Sequence, residues 1–181
     1  MIKKWDTVSK RKIDNFKIFD LHWIKRRHPD WNKESEFVLI DSPSWVNIIP
    51  LTHDNKVIFI QQYRHGINEI TLEVPGGLVE KGEDPGAAGE RECMEETGCS
   101  SPERAVFLGE NHPNPAFLNN SCFSYAWFGC EKTAEQNLEG NEDINVIEIP
   151  LNEVKNYILS GKIKHSLVLT AFFFYFLKFE K

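Results

Sequence analysis

The chain has 181 residues, 41% of them hydrophobic, enough for one well-buried domain with an appendage and too few for two large domains. A net charge of −6 excludes general nucleic-acid binding, which needs a basic footprint, and requires that any anionic ligand be met through cations. Four cysteines without a C-x-x-C pair exclude a disulfide framework and fit a reduced, cytoplasmic protein.

The N-terminal MIKKWDTVSKRK is basic but has no apolar stretch behind it, so no signal peptide is expected. Phe19, Leu21 and Trp23 alternate with Asp20 and His22, the period of a half-buried strand, and Phe37-Val38-Leu39-Ile40 is an apolar run of strand length. The basic segment 25–30 between them reads as a solvated hairpin tip in preference to a phosphate-attracting patch. These predict a small antiparallel β appendage over 1–44, closed by the turn cluster Asp41-Ser42-Pro43-Ser44.

The main domain, 45–181, opens with strands at 45–49 and 57–60, the second ending in Gln61-Gln62-Tyr63-Arg64. A polar, cationic strand end of this kind suits a ligand contact. A short strand at 70–74 then turns through Pro75-Gly76-Gly77. Asp84 before Pro85 predicts a helix start, because the Asp side chain accepts from first-turn N–H groups and Pro needs none; Gly98 is the matching stop. On that helix Glu92, Glu95 and Glu96 lie three and four residues apart, on or beside one face. Their mutual repulsion calls for a hard divalent cation, and Mg²⁺ takes carboxylate oxygens of this kind together with substrate phosphates. Arg91 is placed to fork onto Glu83 or Glu95 and fix its orientation.

Beyond the helix, a strand is expected at 105–108, then a polar, proline-broken loop at 111–120, then an alternating strand at 122–130. An acidic connection fills 131–143, followed by a strand at 146–149 and a short helix at 151–159 opened by Asn152. Residues 166–177, SLVLTAFFFYFL, are apolar all round but too few to span a bilayer, so they predict a buried core helix and no membrane association. His28, His65 and His112 have no metal-like spacing and receive no role. The order of elements is that of an α+β fold, helices covering a mixed or largely antiparallel sheet.

Gly77, five residues, Glu83, seven residues, then Arg91-Glu92-Cys93-Met94-Glu95-Glu96-Thr97-Gly98-Cys99 resembles the Nudix box. Cys93 and Cys99 stand where that family carries bulky aliphatics, a departure that loosens packing behind the helix and leaves the chemistry intact. The resemblance implies an α/β/α sandwich with a mixed sheet, Mg²⁺ or alternatively Mn²⁺ as cofactor, and hydrolysis of a diphosphate linkage. Direct metal ligands would be Glu92 and Glu96, assisted by Glu95 and the Gly76 carbonyl, with Glu83 and Arg91 orienting them.

The flanks resemble the ADP-ribose pyrophosphatase and nucleoside diphosphate sugar branch of that family. Gln62-Tyr63-Arg64 is similar to its Q-Y-R strand end, which implies that Arg64 holds phosphate. Leu72-Glu73-Val74-Pro75-Gly76-Gly77 is similar to its E-x-P-A-G approach, with Gly76 in place of alanine, and Pro115 stands where the branch carries a marker proline. Substrate contacts are therefore expected at Glu73, Pro115 and Asn119 as well as Arg64. Trp45 is read as core packing before a base-stacking residue. The loop around Asn119 lacks the acidic residue common in relatives, which bears on sugar or base recognition. The branch often takes its water-activating base from a late acidic loop, here Glu142 first and Glu139 second, with a merely solvated loop as the competing reading. The appendage implies a homodimer. The expected reaction is cleavage of ADP-ribose or another nucleoside diphosphate sugar to a nucleoside monophosphate and a sugar phosphate. The alternatives are hydrolysis of dinucleoside polyphosphates or nucleoside triphosphates, and a non-catalytic nucleotide-sensing module.

Overall fold

In the computed structural model, which describes every residue except Glu139, Asn141 and Lys181, contacts divide the chain into two units. The first is Met1–Pro43 with His112–Ser121, the second Ser44–Asn111 with Cys122–Lys181.

Three antiparallel strands make the first unit: β1 (Asp6–Phe16), β2 (Phe19–Arg27) and β3 (Glu34–Asp41), in that spatial order. β1 was not legible in the sequence. All eleven of its residues are exposed, so no burial selects an alternating pattern. The basic segment is indeed a hairpin tip, but β2 continues through Arg27, and Lys25 and Arg27 both pair with Glu34 across the strands. The tip is plugged by aromatics, His28 stacked on Trp31 at 3.6 Å with Trp5 edge-on to both. The 112–121 loop joins this unit and not the one that flanks it in sequence, because it bonds along β3. Ile40 N–H donates to Phe117 O at 2.8 Å, Asn119 Nδ2 to Asp41 Oδ1 at 2.7 Å and Asn120 Nδ2 to Pro43 O at 3.0 Å.

The second unit is a seven-stranded mixed sheet between two helical layers. Its strands are β4 (Trp45–Leu51), β5 (Lys56–Arg64), β6 (Glu69–Glu73), β7 (Gly76–Leu78), β9 (Val106–Asn111), β10 (Cys122–Phe128) and β12 (Ile144–Pro150); the two-residue strands β8 (Cys99–Ser100) and β11 (Glu131–Lys132) pair separately. The path β12-β5-β4-β10-β9 has one parallel pair, β4 with β10, and antiparallel pairs elsewhere. β4 and β5 pair only at Leu51 and Val57. Beyond that point they diverge, and β6 takes the free edge of β5 while β7 takes that of β4. The chain between β6 and β7 therefore crosses the split, held by Ile48 N–H to Pro75 O at 3.0 Å.

Alternation on β4, β5 and β10 supplies apolar residues to both faces. One face meets α2 (Val154–Leu159) and α3 (Ser166–Phe179) over Ile49, Val57, Phe59, Ala126, Val168 and Phe172. The other meets α1 (Pro85–Thr97) over a smaller core in which Ile48, Ile58 and Trp127 surround Cys93, Cys99 and Cys130. All four cysteines are buried and free. Thr97 Oγ1 ties the end of α1 together, donating to Cys93 O at 2.6 Å and accepting from Cys99 N–H at 3.0 Å.

Two expectations need correction. Asn152 does not cap a helix; it sits inside a 3-10 turn, Leu151–Glu153, that leads into α2. α3 is not buried all round, because only its Leu167, Val168, Ala171, Phe172 and Tyr175 side meets the sheet, and Phe173 and Leu177 remain exposed.

Candidate active site

Local chemistry places α1 where its caps predict. Asp84 accepts from Ala87 N–H at 3.0 Å, Pro85 is the first helical residue, and Gly98 ends the helix in the left-handed region at φ 71°. The preceding 76–84 segment bends back over the helix. Its Glu83 carboxylate accepts from Glu80 N–H at 2.9 Å and from Arg91 Nε and Nη2 at 3.0 and 3.2 Å.

Arg91 is the hub of the site. Besides forking onto Glu83, it donates through Nη1 to Glu92 Oε1 at 2.9 Å and Glu95 Oε2 at 3.0 Å, and through Nη2 to Leu78 O at 3.2 Å. The sequence offered Glu83 or Glu95 as its partner, and it holds both. Hydrogen bonding to Glu83 first, then the charge of Glu92, pushes the guanidinium pKa up, and Arg91 in turn holds the Glu83 carboxyl below its usual range. Gly77 belongs to this arrangement, since a Cβ there would overlap the Glu92 carboxylate.

Glu96 stands apart from the Arg91 network. It is 4% exposed, and Gly76 N–H donates to its Oε2 at 2.9 Å. Burial, which that hydrogen bond only partly offsets, and then the charges of Glu92 and Glu142 push it up to about 8. Burial also pushes the Glu92 carboxyl up, against the pull of Arg91. Glu92 and Glu96 are thus one turn apart on α1 and both raised by burial, and among the described residues no cation is directly bonded to Glu96. Hard oxygen donors in that condition fit a divalent cation. Among the described residues, no three acidic, His or Cys side chains already converge as a metal cluster, and Glu95 is turned onto Arg91.

Arg64 ends β5 on the same side of the sheet as Glu96, and the two charges act on one another. Its fork is held by Glu73 through Nε–Oε1 at 2.8 Å and Nη2–Oε2 at 2.7 Å. Glu142 lies just before β12, where its charge acts on Arg64, Glu92 and Glu96, whereas Glu139 is outside the described residues. Trp45 heads β4 half-buried, opposite Leu78 of β7 and Cys122 of β10. Pro115 and Asn119 belong to the first unit, and the Asn119 side chain is committed to Asp41 and to Ser42 N–H. Sequence reading missed Thr71, whose Oγ1 donates to Glu73 Oε1 at 2.6 Å, and His165 at the N-cap of α3, which would act on Glu73 when protonated and whose pKa burial lowers. The period-two spacing of Thr71 and Glu73 on one strand was the available signal for the former.

No helix among the described residues is long and apolar enough to cross a membrane. Comparison with known proteins gives a consistent result. The chain is 31% identical over 134 residues to the methanol dehydrogenase activator of Bacillus methanolicus, covering 74% of this chain and 72% of that protein. It is 25% identical over 158 residues to the ADP-ribose pyrophosphatase of Bacillus subtilis (strain 168), covering 87% and 84%. A solved ADP compounds hydrolase superposes with a TM-score of 0.84 over 96% of this chain and 93% of that one at 17% identity, which shows a shared fold. Residues 42–169 match the NUDIX domain, and with Glu83, Glu92 and Glu95 gathered around Arg91, the chain belongs to the NUDIX family.

Proposed function

We propose that this chain is a Mg²⁺-dependent pyrophosphohydrolase, with Mn²⁺ as the alternative ion, that cleaves ADP-ribose or another nucleoside diphosphate sugar into a nucleoside monophosphate and a sugar phosphate. The observation that carries this reading is the placement of Glu92 and the buried Glu96 one turn apart on α1, carboxylates for a cation, with the Arg64 guanidinium, for a phosphate, near enough for its charge to act on Glu96. The ADP-ribose pyrophosphatase name of the Bacillus subtilis relative supports the substrate class.

Glu92, Glu96 and the Gly76 carbonyl would hold the ion, with Glu95 joining on release from Arg91. A bound divalent cation supplies charge neutralisation for the diphosphate and lowers the pKa of water. The remaining roles fall to the chain itself. Arg91 spaces Glu83, Glu92 and Glu95, and Arg64 binds phosphate. Glu142 accepts the proton of the attacking water; its charge already reaches Arg64, Glu92 and Glu96. Trp45 is offered as a base contact and Pro115 with Asn119 as contributors to sugar recognition. The first unit carries exposed Val8, Ile13, Phe16, Trp23, Phe37 and Val38 on a three-stranded sheet, a surface that supports a homodimer. Four free cysteines support a reducing, cytoplasmic location.

The deciding experiment is a panel of nucleoside diphosphate sugars incubated with Mg²⁺ in oxygen-18 water, with products located by mass. A monophosphate and a sugar phosphate, one of them labelled, are expected from ADP-ribose or a near relative. Pyrophosphate release from a triphosphate would move the assignment to that alternative, and saturable binding without cleavage would sink the enzyme reading.

A further inference from the structure

Glu73 was expected to touch substrate, yet the structure gives its oxygens other partners. The side chain is 3% exposed, each oxygen accepts one N–H of Arg64, and Oε1 accepts Thr71 Oγ1 as well. A carboxylate so filled has little capacity left for a sugar hydroxyl and would repel a phosphate. What it does is fix a plane. The β5–β6 register sets Gln62 opposite Thr71 and Ile60 opposite Glu73, so the Arg64 side chain must run back along its own strand to reach Glu73. The bidentate contact then fixes the guanidinium, and among the described residues no hydrogen bond takes the edge formed by Nη1 and the second Nη2 hydrogen, which suits an anion. Thr71 in turn limits the Glu73 carboxylate to one rotation about its terminal bond.

We propose that Glu73 and Thr71 are positioning residues that hold Arg64 in its diphosphate-binding orientation, so that they govern phosphate affinity and leave the chemical step nearly untouched. The proposal rests on the reading of Arg64 as a phosphate ligand. An arginine left to swing would have to be ordered on each binding event, and the built-in fork removes that cost from the substrate.

The test is a double-mutant cycle read by binding as well as turnover. Affinity for inorganic pyrophosphate in the presence of Mg²⁺ is measured by titration calorimetry for wild type, Thr71→Val, Thr71→Ser, Glu73→Gln, Arg64→Lys and the Glu73→Gln/Arg64→Lys double variant. The same proteins are assayed for KM and kcat on ADP-ribose. Glu73→Gln should weaken pyrophosphate binding and raise KM by about tenfold, and Thr71→Val by about threefold, with kcat within about twofold of wild type. Thr71→Ser, which keeps the hydroxyl, should restore wild-type affinity. The double variant should bind no worse than Arg64→Lys alone, because a positioning residue has nothing left to position. If Glu73→Gln folds poorly, the Thr71 pair in wild-type and Arg64→Lys backgrounds decides the same question. Unchanged pyrophosphate affinity, multiplicative effects in the double variant, or a fall in kcat at constant KM would overturn the proposal. So would a wild type that does not bind pyrophosphate. A wild type that binds pyrophosphate but cleaves no nucleotide sugar refutes the proposed reaction and leaves this cycle readable.

Discussion

Removing the cation should make the protein less stable as the solution becomes more alkaline, and Glu96 sets the size of the effect. Its carboxyl titrates at about 8 in the folded, metal-free chain against an ordinary 4.5. Between those values the folded chain keeps a proton that the unfolded chain has released. Stability is therefore fully present below about 4.5 and is lost as pH rises toward about 8. At roughly 1.4 kcal/mol per pH unit the complete loss is about 5 kcal/mol, of which about 3.5 has gone by pH 7. Solvent screens little of this at a side chain 4% exposed, and Glu92, raised by its own burial, adds in the same direction. Since a cation needs the ionised carboxylate, Mg²⁺ binding at pH 7 should expel about 0.9 proton and tighten nearly tenfold per pH unit from about 5 to 8. Titration calorimetry in two buffers of different ionisation enthalpy counts that proton directly, and thermal unfolding of the chelator-treated protein across the same range reads the stability. Glu96→Gln should remove most of the proton release and leave the unfolding curve much flatter, with only the Glu92 share remaining. Metal binding without proton release, or a Glu96→Gln protein whose metal-free stability still falls as steeply as wild type, would refute the reasoning.

Gly77→Ala should force the Glu92 carboxylate aside, lowering kcat/KM by about a hundredfold and weakening Mg²⁺ binding by calorimetry. Arg91→Lys keeps the charge but cannot bond Glu83 while reaching Glu92 and Glu95; a fall in kcat of about ten- to a hundredfold with KM little changed is expected from steady-state kinetics. Glu142→Gln should cut kcat by about a hundredfold or more with intact pyrophosphate binding, and unchanged turnover would remove Glu142 from the mechanism. Thr97→Val loses the bonds to Cys93 O and Cys99 N–H, so denaturant unfolding should show a loss of about 1–3 kcal/mol with kcat preserved.

Legibility in the sequence followed how local the controlling interaction is. The ends of α1 were read correctly because Asp84, Pro85 and Gly98 act within one turn of themselves. Glu83, Glu92 and Glu95 were tied to Arg91 for the same reason, each lying within eight residues of it, whereas the bond of Glu96 to Gly76 spans 20 residues. β1 escaped because both of its faces meet solvent, and β7 because Gly76-Gly77-Leu78 becomes a strand only by pairing with Trp45, Val46 and Asn47. β5 runs four residues past its apolar part, since β6 supplies partners for Gln61 through Arg64. Glu73 received a substrate role on resemblance, and its bond to Arg64 depends on a hairpin register that composition does not reveal. The Asn119 bond to Asp41 at the end of β3 spans 78 residues of sequence and was out of reach for the same reason.

The four buried thiols make the molecule its own clock for opening. Burial pushes Cys122 and Cys130 up to about 12 and raises Cys93 well above its ordinary range, so at these three positions a thiol reagent near neutral pH meets protonated sulfur inside a closed structure. Labelling then proceeds only as fast as the surrounding layer opens. Cys93, Cys99 and Cys130 time the separation of α1 from the sheet, and Cys122, at the parallel junction of β4 and β10, times the sheet itself. Comparing the two groups with and without Mg²⁺ would show whether the cation secures the catalytic helix alone or the whole second unit, with no engineered probe.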